Sequence, residues 1–172
     1  MWLAIDGYNV IAEMTGEPLN RLDLEAERDQ LNQLLFQYRS LSKHRLTVVY
    51  DGGRISSGEP RQYSEKGVKV LFSSLGRNAD QVLIQMAKQY GSGLTVVTSD
   101  REVAERSENC GAVVLASGEF CQRLLMALDG SDDNPDEDEP ITTQRRHLTE
   151  KKGNPHRLSK KERQRNRRLD SV

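Results

Sequence analysis

Apolar residues gather along this chain in short dense runs, separated by longer stretches in which they recur at helical spacing. Trp2–Ile5, Leu46–Tyr50, Val68–Phe72 and Leu94–Thr98 are nearly continuous runs, and Ala112–Leu115 is a shorter fifth. Such runs suit strands covered on both faces, as in a parallel sheet. Leu24, Leu31, Leu34, Leu35, Tyr38 and Leu41 follow a helical repeat and predict a long helix from about Leu22 to Ser42. Val82, Leu83, Met86, Ala87 and Tyr90 predict a second helix. Ser99-Asp100-Arg101-Glu102 has the capping-box pattern that opens a third. Ser117 is placed to cap a last helix through Leu128. The stretch Gly52–Lys66 reads as a long loop. This alternation predicts an α/β domain of three layers around a central parallel sheet.

The pattern stops near Asp129-Gly130, which makes residues 1–130 the folded domain. Residues 131–140, SDDNPDEDEP, form an acidic linker that cannot bury apolar surface. Residues 141–172 hold eleven Lys/Arg and three Asp/Glu, a net of +8, and are expected to be a disordered basic tail. Since the formal total is −1, residues 1–140 carry −9, and the near-neutral sum hides two segments of opposite sign. No apolar run approaches the roughly 20 residues that span a bilayer. The start, MWLAIDGYNVI, lacks a basic leader segment. Cys110 and Cys121 form no CxxC pair and suit a reducing compartment, so a cytoplasmic protein is expected. His44, His147 and His156 lack zinc-ligand spacing.

The acids change the picture. Asp6 ends the first predicted strand, Asp51 the second and Asp100 the fourth, while Asp80 opens the helix after the third. In a parallel sheet all strand C-termini share one edge, where ligands usually bind. Four carboxylates converging there would repel, and Mg2+ or Mn2+, one or two ions, is the natural counter-charge. That arrangement suits phosphodiester hydrolysis, with Asn9 able to orient a carboxylate or a water. Each Asp also has an ordinary alternative, as a helix cap or a turn residue. Asp51-Gly52-Gly53 is the most turn-like of the four. A phosphatase of the haloacid-dehalogenase type would need a second acid at position 8, which is Tyr8. No glycine fingerprint or P-loop follows a strand.

Ile5-Asp6-Gly7-Tyr8-Asn9-Val10-Ile11, Tyr50-Asp51-Gly52, Asn78-Ala79-Asp80-Gln81-Val82-Leu83-Ile84 and Thr98-Ser99-Asp100 together resemble the NYN domains of the PIN-like nuclease superfamily, within it the YacP-like bacterial family. The resemblance spans about residues 1–128. It implies a PIN-like fold and metal-dependent endoribonuclease activity, in RNA decay or processing. Carried over by position, Asp6, Asp80 and Asp100 match the family's metal-binding acids. Asp51 matches a further acid, and Asn9 the polar position beside the first.

RNA contacts are expected from three places. Arg54 and Arg61 in the long loop could grip phosphates and Tyr63 could stack a base. Arg77 and Arg101 flank two of the acids, and would either meet substrate phosphate or pair with the carboxylates. In the tail, Lys160, Lys161, Arg163, Arg165, Arg167 and Arg168 suit salt-sensitive contact with RNA, for which a ribosome or another large RNA assembly is a fitting partner. The competing readings are a non-catalytic RNA- or ribosome-binding adaptor and a metal-dependent phosphatase of small molecules.

Overall fold

The computed structural model describes residues 1–16, 24–52, 62–74 and 77–130. The loop arginines Arg54 and Arg61, the acidic linker and the whole basic tail therefore lie outside the described residues. In chain order the elements are β1 (Trp2–Asp6), α1 (Gly7–Thr15), α2 (Leu24–Leu41), β2 (Arg45–Tyr50), β3 (Gln62–Glu65), β4 (Val68–Phe72) and α3 (Ala79–Tyr90). A 3-10 turn at Gly91–Gly93 leads into β5 (Leu94–Val97), α4 (Arg101–Asn109), β6 (Val113–Leu115) and α5 (Ser117–Asp129).

Six strands form one sheet in the order β3-β4-β2-β1-β5-β6. Every pairing is parallel except β3 with β4. Alternation of side chains across the strands divides the apolar residues between two cores. Ala4, Val49 and Val96 face α3 and α4 and meet Leu83, Ile84, Ala87 and Val103 there. The other layer is α1, α2 and α5, which pack on one another. Burial on both faces explains why β1, β2 and β5 read as unbroken apolar runs. The α/β fold with helices on both sides of a mostly parallel sheet is the expected one.

Four local expectations need correction. A helix, α1, follows β1 at once, whereas the hydrophobic pattern predicts nothing between Ile5 and Leu22. Its first turn is too short and too mixed to show a helical repeat. Part of the expected loop is the strand β3, which forms a hairpin with β4 through Lys66 (φ 46°) and Gly67 (φ 82°). Two successive positive φ values are what a two-residue hairpin turn requires, and glycine accepts its share without strain. The N-cap of α4 is Asp100 rather than Ser99, whose hydroxyl bonds Glu13 instead. Ser117 lies inside α5, behind Ala116 as N-cap, and its N–H donates to Ser99 Oγ at 3.2 Å.

Candidate active site

The chain moves outward from β1 through β2 to β4 and then returns to the other side of β1 for β5. The sheet therefore changes direction between β1 and β5. In open α/β sheets the crevice beyond the strand C-termini at such a point is the usual ligand site. Asp6 closes β1, and Thr98 through Asp100 follow β5 at this same place.

Register sets the levels of the side chains. Ile5 lies opposite Val97, which puts Asp6 level with Thr98, and Thr98 Oγ1 donates to Asp6 Oδ2 at 3.3 Å. Tyr50 lies opposite Phe72, which puts Asp51 level with Ser73, and Ser73 Oγ donates to Asp51 Oδ1 at 3.3 Å.

Asp6 is nearly inaccessible, at 4% exposure. It caps α1 by accepting from the Asn9 N–H at 3.3 Å and from the Asn9 side-chain amide at 2.8 Å. Burial nonetheless pushes its carboxyl above the ordinary value of 3.8. The bonds from Asn9 and Thr98 oppose that shift, and the charge of Asp100 adds to it. Asp100 caps α4, with Oδ1 accepting from the Glu102 and Val103 N–H groups at 2.8 and 3.0 Å. Its Oδ2 has no partner among the described residues. The backbone N–H of Asp100 donates to Thr98 Oγ1 at 3.1 Å, so one hydroxyl ties two acids together. The ordinary reading of these two aspartates as helix caps is thus correct; both oxygens of Asp6 are engaged, while capping leaves Oδ2 of Asp100 for other work.

Asp80 stands in the first turn of α3, where Asn78 Nδ2 donates to its Oδ2 at 3.0 Å. Its carboxyl is raised first by partial burial and then by the charges of Asp6, Asp100, Asp51 and Glu102. The four aspartates named from the sequence therefore share one electrostatic neighbourhood. Among the described residues, no group of three or more His, Cys, Asp or Glu side chains stands close enough to hold a metal ion by itself. The donor chemistry fits magnesium or manganese, which take carboxylate oxygens, keep several waters and need only one or two direct carboxylates. A cation there would also offset the repulsion that raises Asp80.

Two glycines let the acids sit where they do. A Cβ on Gly7 would lie 2.2 Å from the buried Tyr50 ring, and one on Gly52 would lie 1.8 Å from the Ser73 carbonyl oxygen. Position 7 must therefore be glycine for β1 and α1 to meet β2 this closely. The Gly52 N–H donates to Ser73 Oγ at 2.8 Å, which holds the same hydroxyl that bonds Asp51.

Tyr63 lies in β3 rather than in a loop, half-buried, with its hydroxyl accepting from Asn32 Nδ2 at 3.5 Å. Arg77 is exposed and donates to Gln85 Oε1 at 3.2 Å, and Arg101 is exposed at the first position of α4. Neither pairs with a carboxylate among the described residues. His44 packs against Tyr38 with ring centroids 6.1 Å apart. The Cys121 thiol is buried and pushed up to about 11, which keeps it protonated. Sequence reasoning assigns no role to Thr98, Asn78, Ser73 or Glu13. The first three each stand within two residues of an acid or level with one, which is the available signal. Glu13 lies seven residues after Asp6, two turns along α1, and accepts from Ser99 Oγ at 3.1 Å.

The pattern of the YacP-like NYN domain family matches residues 3–170 of this chain. The chain belongs to that family. Membership places this YacP-like NYN domain among PIN-like, nuclease-type domains, and the match extends through the basic segment rather than ending near residue 128. An uncharacterised protein YacP of Bacillus subtilis (strain 168) is 30% identical over 102 residues, which are 57% of this chain and 59% of that protein. The match thus spans less than two thirds of the relative. The crystal structure of Rae1 (YacP) from Bacillus subtilis superposes with a TM-score of 0.61 at 24% identity, over 77% of this chain and 78% of the other. A crystal structure of a tryptophan-to-leucine mutant of that protein gives the same TM-score and identity over 75% and 77%. These two structures support the fold. Among the described residues no helix is long and apolar enough to cross a membrane.

Proposed function

We propose that this YacP-like NYN domain is a divalent-metal-dependent endoribonuclease that cleaves RNA phosphodiester bonds at the end of β1 and β5. The observation that carries the reading is the meeting of Asp6 and Asp100 at the sheet's switch point, where the Thr98 hydroxyl bonds both, with Asp80 near enough to feel their charge. Clustered negative charge repels RNA and destabilises the fold, so it is useful only with a cation. An RNA-binding adaptor would have no use for it.

Asp6, Asp80 and Asp100, with Asp51 beside them, would hold one or two magnesium or manganese ions. Such an ion supplies an activated water at neutral pH and offsets charge building on the phosphoryl group. The chain's own groups prepare the site. Asn9 and Thr98 fix the plane of the Asp6 carboxylate through both oxygens. The first amides of α4 fix Asp100 through Oδ1 alone, and Asn78 steadies Asp80. RNA, in a ribosome or another large assembly, is the partner that the basic tail suits.

The test is incubation of the full-length protein with mixed RNAs, with manganese or magnesium and with chelator. Internal cleavage is expected with metal, and none with chelator or in Asp80→Asn. RNA that is bound but never cut under any metal condition would leave the adaptor as the better account.

A further inference from the structure

Gln81, Ile84, Gln85 and Lys88 run along one stripe of α3, Arg77 stands just before that helix, and Arg106 in the last turn of α4 lines the same groove. Together they line an open groove of about 310 Å³. Three of the six side chains are cations, two are amides and none is a carboxylate. This is out of character for its surroundings, because residues 1–130 hold fourteen Lys/Arg and seventeen Asp/Glu, a net of −3. The groove also has a direction. Arg77 stands beside the first turn of α3, where Asp80 lies, and the stripe runs away from the acid edge. From Gln81 to Lys88 it covers about 10 Å at the helical rise.

The cations are available. Among the described residues, the Arg77 guanidinium is engaged by the neutral Gln85 amide, at 3.2 Å. Arg106 pairs with Glu102 at 3.1 Å, with both side chains more than half exposed, at 53% and 77%. An exposed pair of that kind is weak and yields readily to a phosphate. The glutamines add donors and acceptors without charge, and Ile84 gives an apolar floor.

We infer that this α3–α4 groove carries the phosphodiester backbone of single-stranded RNA leading to or from the acid cluster. The inference rests on the ribonuclease reading for its substrate, although its test does not depend on cleavage. Carboxylates at the reaction edge repel a polyanion, so affinity must come from beside them. The groove begins beside Asp80, in the first turn of α3, and its lining carries the opposite sign.

The experiment measures binding of a labelled oligouridylate to the full-length protein in chelator, over a salt series. The proteins compared are wild type, the double variant Lys88→Gln/Arg106→Gln, and Lys43→Gln at the opposite edge of the sheet. Removing two cations that each neutralise a phosphate should flatten log K against log salt by about 1.4 and weaken low-salt binding several-fold. Lys43→Gln should leave the slope as it is. Equal slopes for the double variant and wild type, or an effect matched by Lys43→Gln, would overturn the proposal. So would competition by uridine monophosphate as effective as that of the oligomer, since the groove would then be a mononucleotide site. Absence of metal-dependent cleavage would instead remove the ribonuclease reading and leave this binding result standing.

Discussion

At the residue scale, Asp6 and Asp80 carry carboxyls above the usual range, both chiefly through burial, and more neighbouring acids add to the shift at Asp80 than at Asp6. Asp6 is shut away from water, and Asp80 is partly buried and faces other acids. A carboxyl raised on folding keeps its proton to higher pH in the folded chain than in the unfolded one. Its contribution to stability is therefore whole below the unfolded value of 3.8 and lost as pH rises through the folded one. Asp80→Asn should accordingly raise the Tm of chelator-treated protein at neutral pH, with the gain shrinking as pH falls toward about 4. Added manganese should stabilise wild type more than the variant. A melting series with a constant offset across pH would contradict the electrostatic account. Thr98 allows a second test, because its hydroxyl joins Asp6 to Asp100 without being a ligand candidate itself. Thr98→Val should cut RNA cleavage by about 10–100-fold, the usual cost of an outer-shell partner, with Thr98→Ser restoring most of it. Unchanged turnover in Thr98→Val would remove Thr98 from the positioning of the acids. These residues also mark the reach of sequence reasoning. The aspartates are legible because each ends a recognisable apolar run or opens a helix. The hydroxyls and amides that orient them are not, because their roles depend on register between strands far apart in the chain.

Elements are legible in proportion to their burial on two faces. β1, β2 and β5 are buried along almost their whole length and stand out as apolar runs, while β4 is fully buried only at alternate residues. β3 is an edge strand of sequence QYSE, mostly exposed, and nothing in its composition separates it from a loop. The short helix α1 escapes the pattern for a different reason. It begins at Gly7, a residue that ordinarily weakens a helix start, and its place is set by Tyr50 from β2 packing on that glycine. Local propensity does not contain this information, since the constraint comes from another strand. Gly7→Ala should therefore destabilise the fold by about 1–3 kcal/mol through overpacking, although alanine is the better helix former. Urea unfolding would measure this, and a variant as stable as wild type would show that Tyr50 can move aside at little cost.

For the whole molecule, the decisive feature is the separation of charge between the folded domain and the basic segment at the end of the chain. Residues 141–172 contain eleven Lys/Arg, and the family match reaches residue 170, so the basic segment belongs to the pattern of the family. Residues Met1–Ser131 form a compact unit that contains every candidate acid. Ending the chain after residue 130 should therefore leave the domain folded and the cleavage chemistry intact on a short RNA at saturating concentration. Binding to long RNA or to ribosomes should weaken, and its salt dependence should flatten by about 0.7 for every phosphate that the tail neutralises. The size of that change separates the tail from the α3–α4 groove. Removal of a basic tail that neutralises several phosphates would flatten the slope by several units, against about 1.4 for Lys88→Gln/Arg106→Gln in the full chain. If each source acts independently, combining truncation with the double variant should sum the two slope changes. A truncated protein with the slope of the full chain would reduce the tail to a solubilising segment, and the domain's own cations would then have to supply the affinity for RNA.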